Sequence, residues 1–274
     1  MVISYVLSNV TTETIRVETS YPCDAAPPEV ARAYRYEIIG RSGGGGGGTT
    51  PPPIKPQIID KLTGKAKCLN TLLNKSGNSF VQKLLAKFEG TSKFDISISS
   101  VDALPKTIDG VVTYLNGRTL KPKSNLIEIE ISTTEANRRA PIEVARIILH
   151  EYIHADIYRK LGTVLATNVE NLDFKETFEK YEGEHHSVMA KLYVDSMKES
   201  LKQFHQSLFP GDIKAYTDYY NEPPSDAFYE ALAWGGLRDE NIKAWNELSA
   251  EKKASIEVLA SRVEKFSKTS PCNN

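Results

Sequence analysis

The 274-residue chain is 40% hydrophobic and 25% charged, which fits a folded domain with a sizeable core and excludes a disordered or fibrous protein. A net charge of −1 gives no general electrostatic ground for binding nucleic acid or an anionic membrane, and no apolar run reaches the roughly 18–20 residues of a membrane span. The three cysteines, Cys23, Cys68 and Cys272, form no CxxC pair, which argues against a thiolate zinc knuckle.

The first residues, Met1-Val-Ile-Ser-Tyr-Val, lack the basic start, apolar stretch and cleavage site of a signal peptide. The chain is therefore expected either to stay inside or to be part of a longer exported or cell-surface protein. Residues 1–42 read as a β-rich segment, with β-formers clustered at 3–7, 14–19 and 35–39. Six glycines and the run Pro51-Pro-Pro-Ile-Lys-Pro56 then mark 43–57 as a linker, flexible first and extended after. No Gly-Lys-Ser/Thr closes the glycines, so a phosphate loop is not indicated.

The main domain is expected over 58–270. Ile58, Leu62, Leu69, Leu72, Leu73, Val81, Leu84, Leu85 and Phe88 recur at helical spacing, and Ser76-Gly77-Asn78 breaks them into two short helices. Over 94–132 the period changes to two, as in Phe94, Ile96, Ile98 and residues 126–131, with Asn116-Gly117 as a hairpin signal. A small sheet is expected there. Pro141 starts a long apolar helix to about Lys160, with Glu143 in its first turn, and further helices are expected at 185–208, 225–236 and 249–267. The fold class is α+β. The cysteines read as three independent thiols, or as a Cys68–Cys272 disulfide in an exported protein.

The chemistry concentrates in His150-Glu151-Tyr152-Ile153-His154, inside the long helix. Residues four apart share a helix face, so both imidazoles can reach one Zn2+ ion, and Glu151 on the adjoining face can hold the metal-bound water and act as general base. The apolar, proline-free surroundings place the string where a buried site needs it. A surface helix carrying two histidines by chance is the plainer alternative.

A third ligand must come from elsewhere. The elongated pattern HExxHxxGxxH needs Gly at 157 and His at 160, where the chain has Ile157 and Lys160. The next candidates lie in Glu182-Gly-Glu-His-His-Ser-Val-Met-Ala190, at the start of another helix. His185 ranks first, His186 second, and Glu182 or Glu184 after them. His205 reads as a surface residue. Asp156, Asp226 and Glu230 are candidates to accept an imidazole N–H, and Tyr193 and Tyr229 to stabilise an oxyanion. Trp234-Gly235-Gly236 reads as a helix end, where glycine permits a left-handed turn.

His150-Glu-Tyr-Ile-His-Ala155, with His185 and the apolar Met189 four residues later, resembles SprT-like zinc metallopeptidases over about 140–200. The resemblance implies a zincin-like domain in which a third histidine opens a helix, hydrolysing protein or peptide substrates. The glycine-rich linker, the HExxHA helix, the His-His-x-x-Met-Ala helix and Ala231-Leu-Ala-Trp-Gly-Gly-Leu237 together resemble a group of bacterial proteins found in exported or toxin-like contexts. The expected function is zinc-dependent peptide hydrolysis with Glu151 as the base. A non-catalytic zinc-binding or degenerate zincin interaction module, or a secreted toxin domain, is the alternative. Oligomeric state, cleavage specificity and export route are not encoded in any readable motif.

Overall fold

The computed structural model describes residues 3–8, 14–19, 58–89, 92–108, 110–163, 168, 174–185 and 189–272. The chain divides into two units, Met1–Pro52 and Pro53–Asn274. In the first, β1 (Ile3–Ser8) and β2 (Thr14–Thr19) pair antiparallel, Ile3 opposite Thr19 and Ser8 opposite Thr14. The strand expected at 35–39 and the linker at 43–57 lie outside the described residues.

The second unit is α+β, as expected. Its first element is a strand, β3 (Ile58–Lys61), so Ile58 does not belong to the helical pattern that follows. The two short helices are α1 (Gly64–Lys75) and α2 (Ser79–Ala86), separated at 76–78. Asn78 caps α2, its side chain accepting from the backbone N–H groups of Phe80 and Val81. Next come β4 (Asp95–Val101), β5 (Leu104–Ile108), β6 (Val111–Leu115), β7 (Gly117–Thr119) and β8 (Leu126–Ser132). The main sheet has the order β3-β4-β8-β7, with the first three strands parallel and β7 antiparallel to β8. Strands β5 and β6 form a separate hairpin, Ile108 opposite Val111.

The hairpin expected at Asn116-Gly117 is therefore displaced. Gly110 lies in the turn of the β5–β6 hairpin, its φ of 79° open to glycine at no steric cost, while Asn116-Gly117 leads into a strand that pairs elsewhere. A β-former run followed by Asn-Gly has no local feature that distinguishes these outcomes.

The helices after the sheet are α3 (Thr133–Arg138), α4 (Pro141–Thr163), α5 (Phe174–His185), α6 (Met189–Leu208), α7 (Pro210–Tyr220), α8 (Asp226–Asp239), α9 (Lys243–Asn246) and α10 (Ala250–Ser261), then a 3-10 turn at Arg262–Lys265. Helices α3, α5, α7 and α9 are additions to the expected set.

Helix α4 is the centre. Of its 23 residues, 18 are buried. It contacts α1, α2, α5, α6, α8, β7 and β8. Ile142, Ala145, Ile148 and Leu149 join Ile96, Ile98, Ile127, Ile129 and Ile131 of the sheet in one apolar cluster, all fully buried. A helix buried on nearly every side can only be accommodated this way, in the interior of a layered core. Among the described residues no helix is long and apolar enough to cross a membrane.

Cys68 of α1 and Cys272 are disulfide-bonded, with Cα atoms 6.0 Å apart across a separation of 204 positions. This replaces the reading of independent thiols for that pair. Lys65, one turn earlier on α1, donates to the carbonyl of Lys268 at 2.6 Å and to that of Arg139, so the C-terminal segment is tied to α1 twice. Closing so long a loop restricts the unfolded chain by about 5 kcal/mol in the chain-entropy account. Cys272→Ser is expected to lower the unfolding free energy by about 2–5 kcal/mol, read as a lower denaturant midpoint. The same loss should follow reduction of the unaltered protein.

Candidate active site

The long helix presents its two histidines as the spacing requires. His150 Nε2 and His154 Nε2 lie 2.6 Å apart, and both side chains are buried, 6% and 4% exposed. Burial holds both imidazoles neutral. It lowers His150 to about 3, with the Arg146 charge adding to the effect, and lowers His154 well below its ordinary value, with His150 adding. Two neutral rings meeting nitrogen to nitrogen can share one proton there, and a cation can take the proton's place. On the other side of the ring, His150 Nδ1 is hydrogen-bonded to the Tyr193 hydroxyl of α6. That partner fixes ring orientation, as metal-ligating imidazoles require.

Glu151 is 4% exposed and faces the sheet edge. Thr119 Oγ1 lies 2.8 Å from its Oε2 and 3.1 Å from its backbone carbonyl. On the same strand and the same face, a Cβ added at Gly117 would stand 3.1 Å from Glu151 Oε1. Strand alternation explains the pairing: Gly117 and Thr119 face α4, whereas Arg118 between them pairs across the sheet with Glu130 at 2.6 Å. Burial raises the Glu151 carboxyl to about 8. The Thr119 hydrogen bond opposes that rise, Glu240 adds to it, and Arg146 opposes it.

Helix α8 closes the site from the other side. The pair Gly235-Gly236 is not a helix end but lies inside α8, three residues before its last residue at the nearer glycine. A Cβ at Gly236 would fall within the His150 imidazole, touching Cε1 and Nδ1. A Cβ at Gly235 would lie 3.3 Å from Cζ and Nη1 of Arg146 and 3.4 Å from its Nε. Two adjacent glycines on α8 therefore clear room for side chains one turn apart on α4. Between the helices and β7 is a cavity of about 70 Å³, lined by Gly117, Arg146, His150, Glu151, Asp239 and Glu240 among others.

The structure thus brings His150, Glu151 and His154 together. His185 is the last residue of α5, with its side chain outside the described part, and His186 lies outside it altogether. The side chains of Glu182 and Glu184 are also outside it. Among the described residues, no group of three or more His, Cys, Asp or Glu side chains could by itself hold a metal ion.

Other expectations are redirected. Asp156 faces away from the imidazoles and pairs with Lys87 at 2.8 Å, Arg159 at 2.9 Å and Lys160 at 3.1 Å. Asp226 pairs with Lys202 and Glu230 with Lys252, both on the surface. Tyr193 holds His150, while Tyr229 is bonded to His205 Nδ1 at 3.1 Å. His205 is fully buried, not superficial. Thr119, Gly117, Arg146 and Gly236 are site residues without a motif of their own. The only sequence signals were the two glycine positions, which local rules assign to turns.

No family model, curated protein or solved structure matches the chain, so the site's own chemistry carries the functional reading. Gly236→Ala puts a methyl group into the His150 ring. It is expected to destabilise the fold by at least about 1–3 kcal/mol, the range for overpacking, and to move the His150 ring resonances in NMR spectra. Gly235→Ala, with a looser fit, is expected to cost less in the same thermal unfolding series.

Proposed function

We propose that the chain is a zinc-dependent peptidase in which His150 and His154 are two metal ligands, His185 is the third, with His186 as the alternative, and Glu151 is the general base. The observation that carries this reading is the meeting of the two Nε2 atoms beside a buried carboxylate. The donor set suits Zn2+: two neutral imidazoles on one helix, His150 oriented from outside by Tyr193. A zinc ion bound there supplies Lewis acidity, polarising the carbonyl of the scissile bond and easing loss of a proton from water.

The protein's own residues account for the rest. Glu151 Oε1, beside the open face of Gly117, takes the proton from the attacking water, and the same carboxyl can return it to the leaving nitrogen. Thr119 fixes the other oxygen and so limits the carboxylate to one orientation. A base held near neutrality by burial is suited to both transfers. A peptide substrate is supported by β7, an edge strand beside Glu151 against which an extended chain can lie by main-chain hydrogen bonding.

Purified full-length chain from zinc-replete expression is expected to carry one zinc per molecule and to hydrolyse casein or a peptide library. Glu151→Gln should keep the zinc and lose about 10²–10⁴-fold in hydrolysis. Substoichiometric zinc would sink the metalloenzyme reading, and zinc without hydrolysis would leave a non-catalytic zinc-binding module. His185→Ala is expected to lose the metal. If His185→Ala and His186→Ala both keep it fully, an acidic residue is the third ligand.

A further inference from the structure

Arg146 lies one turn before His150 on α4 and is 9% exposed. Among the described residues it takes part in no ion pair or side-chain hydrogen bond. A guanidinium this largely covered, with no protein acceptor, is left to meet water or a bound ligand with its five N–H donors. Gly235 stands at nearly equal distance, 3.3–3.4 Å for an added Cβ, from Cζ, Nη1 and Nε. The backbone of α8 therefore covers the flat face of the group and leaves its donor edges directed sideways. Arg146 lines two spaces: the small cavity bordered by His150 and Glu151, and an adjoining cleft of about 590 Å³.

The other arginines of that cleft are already committed. Arg138 pairs with Glu135 at 3.3 Å, Arg139 with Glu143 at 3.1 Å and with Glu135 at 3.6 Å, and Arg238 with Asp239 at 3.3 Å. Lys268, Glu257 and Glu264 also line the cleft, and neither glutamate is within ion-pair distance of Arg146. The Arg146 charge reaches the site, where it favours the ionised forms of Glu151 and Tyr193 and disfavours protonated His150.

We propose that Arg146 is an anion-binding residue that takes a substrate carboxylate beside the reacting centre. A carboxylate matches the fork of a guanidinium in two parallel hydrogen bonds, and an Arg not already held by a protein carboxylate is free to make them. Such a carboxylate can be the free C-terminus of a peptide or the side chain of Asp or Glu next to the scissile bond. The word substrate rests on the peptidase reading; the carboxylate site rests on Arg146 alone.

The test is calorimetric titration of the zinc-loaded full-length chain with three probes: acetyl-Ala-Ala with a free carboxylate, its C-terminal amide, and acetyl-Ala-Glu-Ala-amide. At least one acid probe is expected to bind about 10-fold or more tightly than the neutral amide, the scale of a charge-assisted hydrogen bond. Preference for acetyl-Ala-Ala assigns the C-terminus, and preference for the glutamyl probe assigns an internal acid. Arg146→Met should bring the ratio to about 1, and Arg146→Lys should keep part of it, with circular dichroism confirming the fold of each.

Equal binding of acid and amide probes by the unaltered chain overturns the proposal, whether or not the variants fold. So does a preference that survives in folded Arg146→Met, since the metal or another cation then provides it. If zinc and hydrolysis are absent but the Arg146-dependent preference is present, the carboxylate site stands and the peptidase reading falls. Zinc-dependent hydrolysis without any carboxylate preference removes the site alone.

Discussion

The constraint on which the structure depends is a helix buried on all sides that nonetheless carries five polar or charged side chains. Arg146, His150, Glu151, His154 and Asp156 are all buried on α4. Such groups call for partners, because an unanswered buried polar group costs several kcal/mol and a charge far more, on the order of 10 kcal/mol before relaxation. The surroundings of α4 can be understood as those answers. Thr119 of the edge strand serves Glu151, Tyr193 of α6 serves His150, and Lys87 at the end of α2 joins Arg159 and Lys160 around Asp156. Tyr152 on the same helix finds Asn70 of α1 at 3.1 Å, and Asn70 in turn donates to Asp60. Packing and polar matching are thus one problem, solved around one helix.

Helix α8 shows what that solution demands of a neighbour. A glycine inside a helix costs roughly 1 kcal/mol against alanine, and α8 has two in succession. Both are buried, and both lie where a side chain would collide with α4. The penalty is offset by an approach close enough for Leu232, Ala233 and Leu237 to reach the common core while His150 and Arg146 keep their places. The Trp234 and Trp245 rings, 5.7 Å apart, close the outer side of the same helix.

Much of the fold is legible in the sequence where periodicity and burial agree. The long helix from Pro141, the break at 76–78 and the alternating strand at 126–131 follow from spacing alone, as does the single face shared by His150 and His154. What escaped notice depends on partners distant in sequence. Asn116-Gly117 and Gly235-Gly236 carry the same local signals as turns and helix ends, and only the proximity of Glu151, Arg146 and His150 gives them another purpose. Thr119 is an unremarkable strand residue until β8 places it across from Ile129 and against α4. His205 looked superficial because its partners, Tyr229 and Asp212, come from other helices. The Cys68–Cys272 disulfide, by contrast, is one of the two readings the cysteines allow, and the domain brings the pair together.

Two carboxylates five positions apart on α4 show how environment separates function from structure. Asp156 and Glu151 are equally buried. Burial pushes Asp156 upward, yet Lys160, Lys87 and Arg159 outweigh it and hold the group below its ordinary value, permanently ionised and occupied by its three partners. Glu151 has one hydroxyl and no cation in ion-pair contact, apart from a neutral imidazole nitrogen of His154 at 3.9 Å, so burial prevails and raises it to about 8. A carboxyl surrounded by cations cannot exchange a proton near neutrality, whereas one held by a single hydroxyl can. The same comparison applies to the cations: Arg159 is spent on Asp156, while Arg146, equally rigid on the same helix, is not. On α4 the group enclosed by cations holds the fold together, while His150, Glu151 and Arg146, none of them in an ion pair at hydrogen-bond distance, line the cavity.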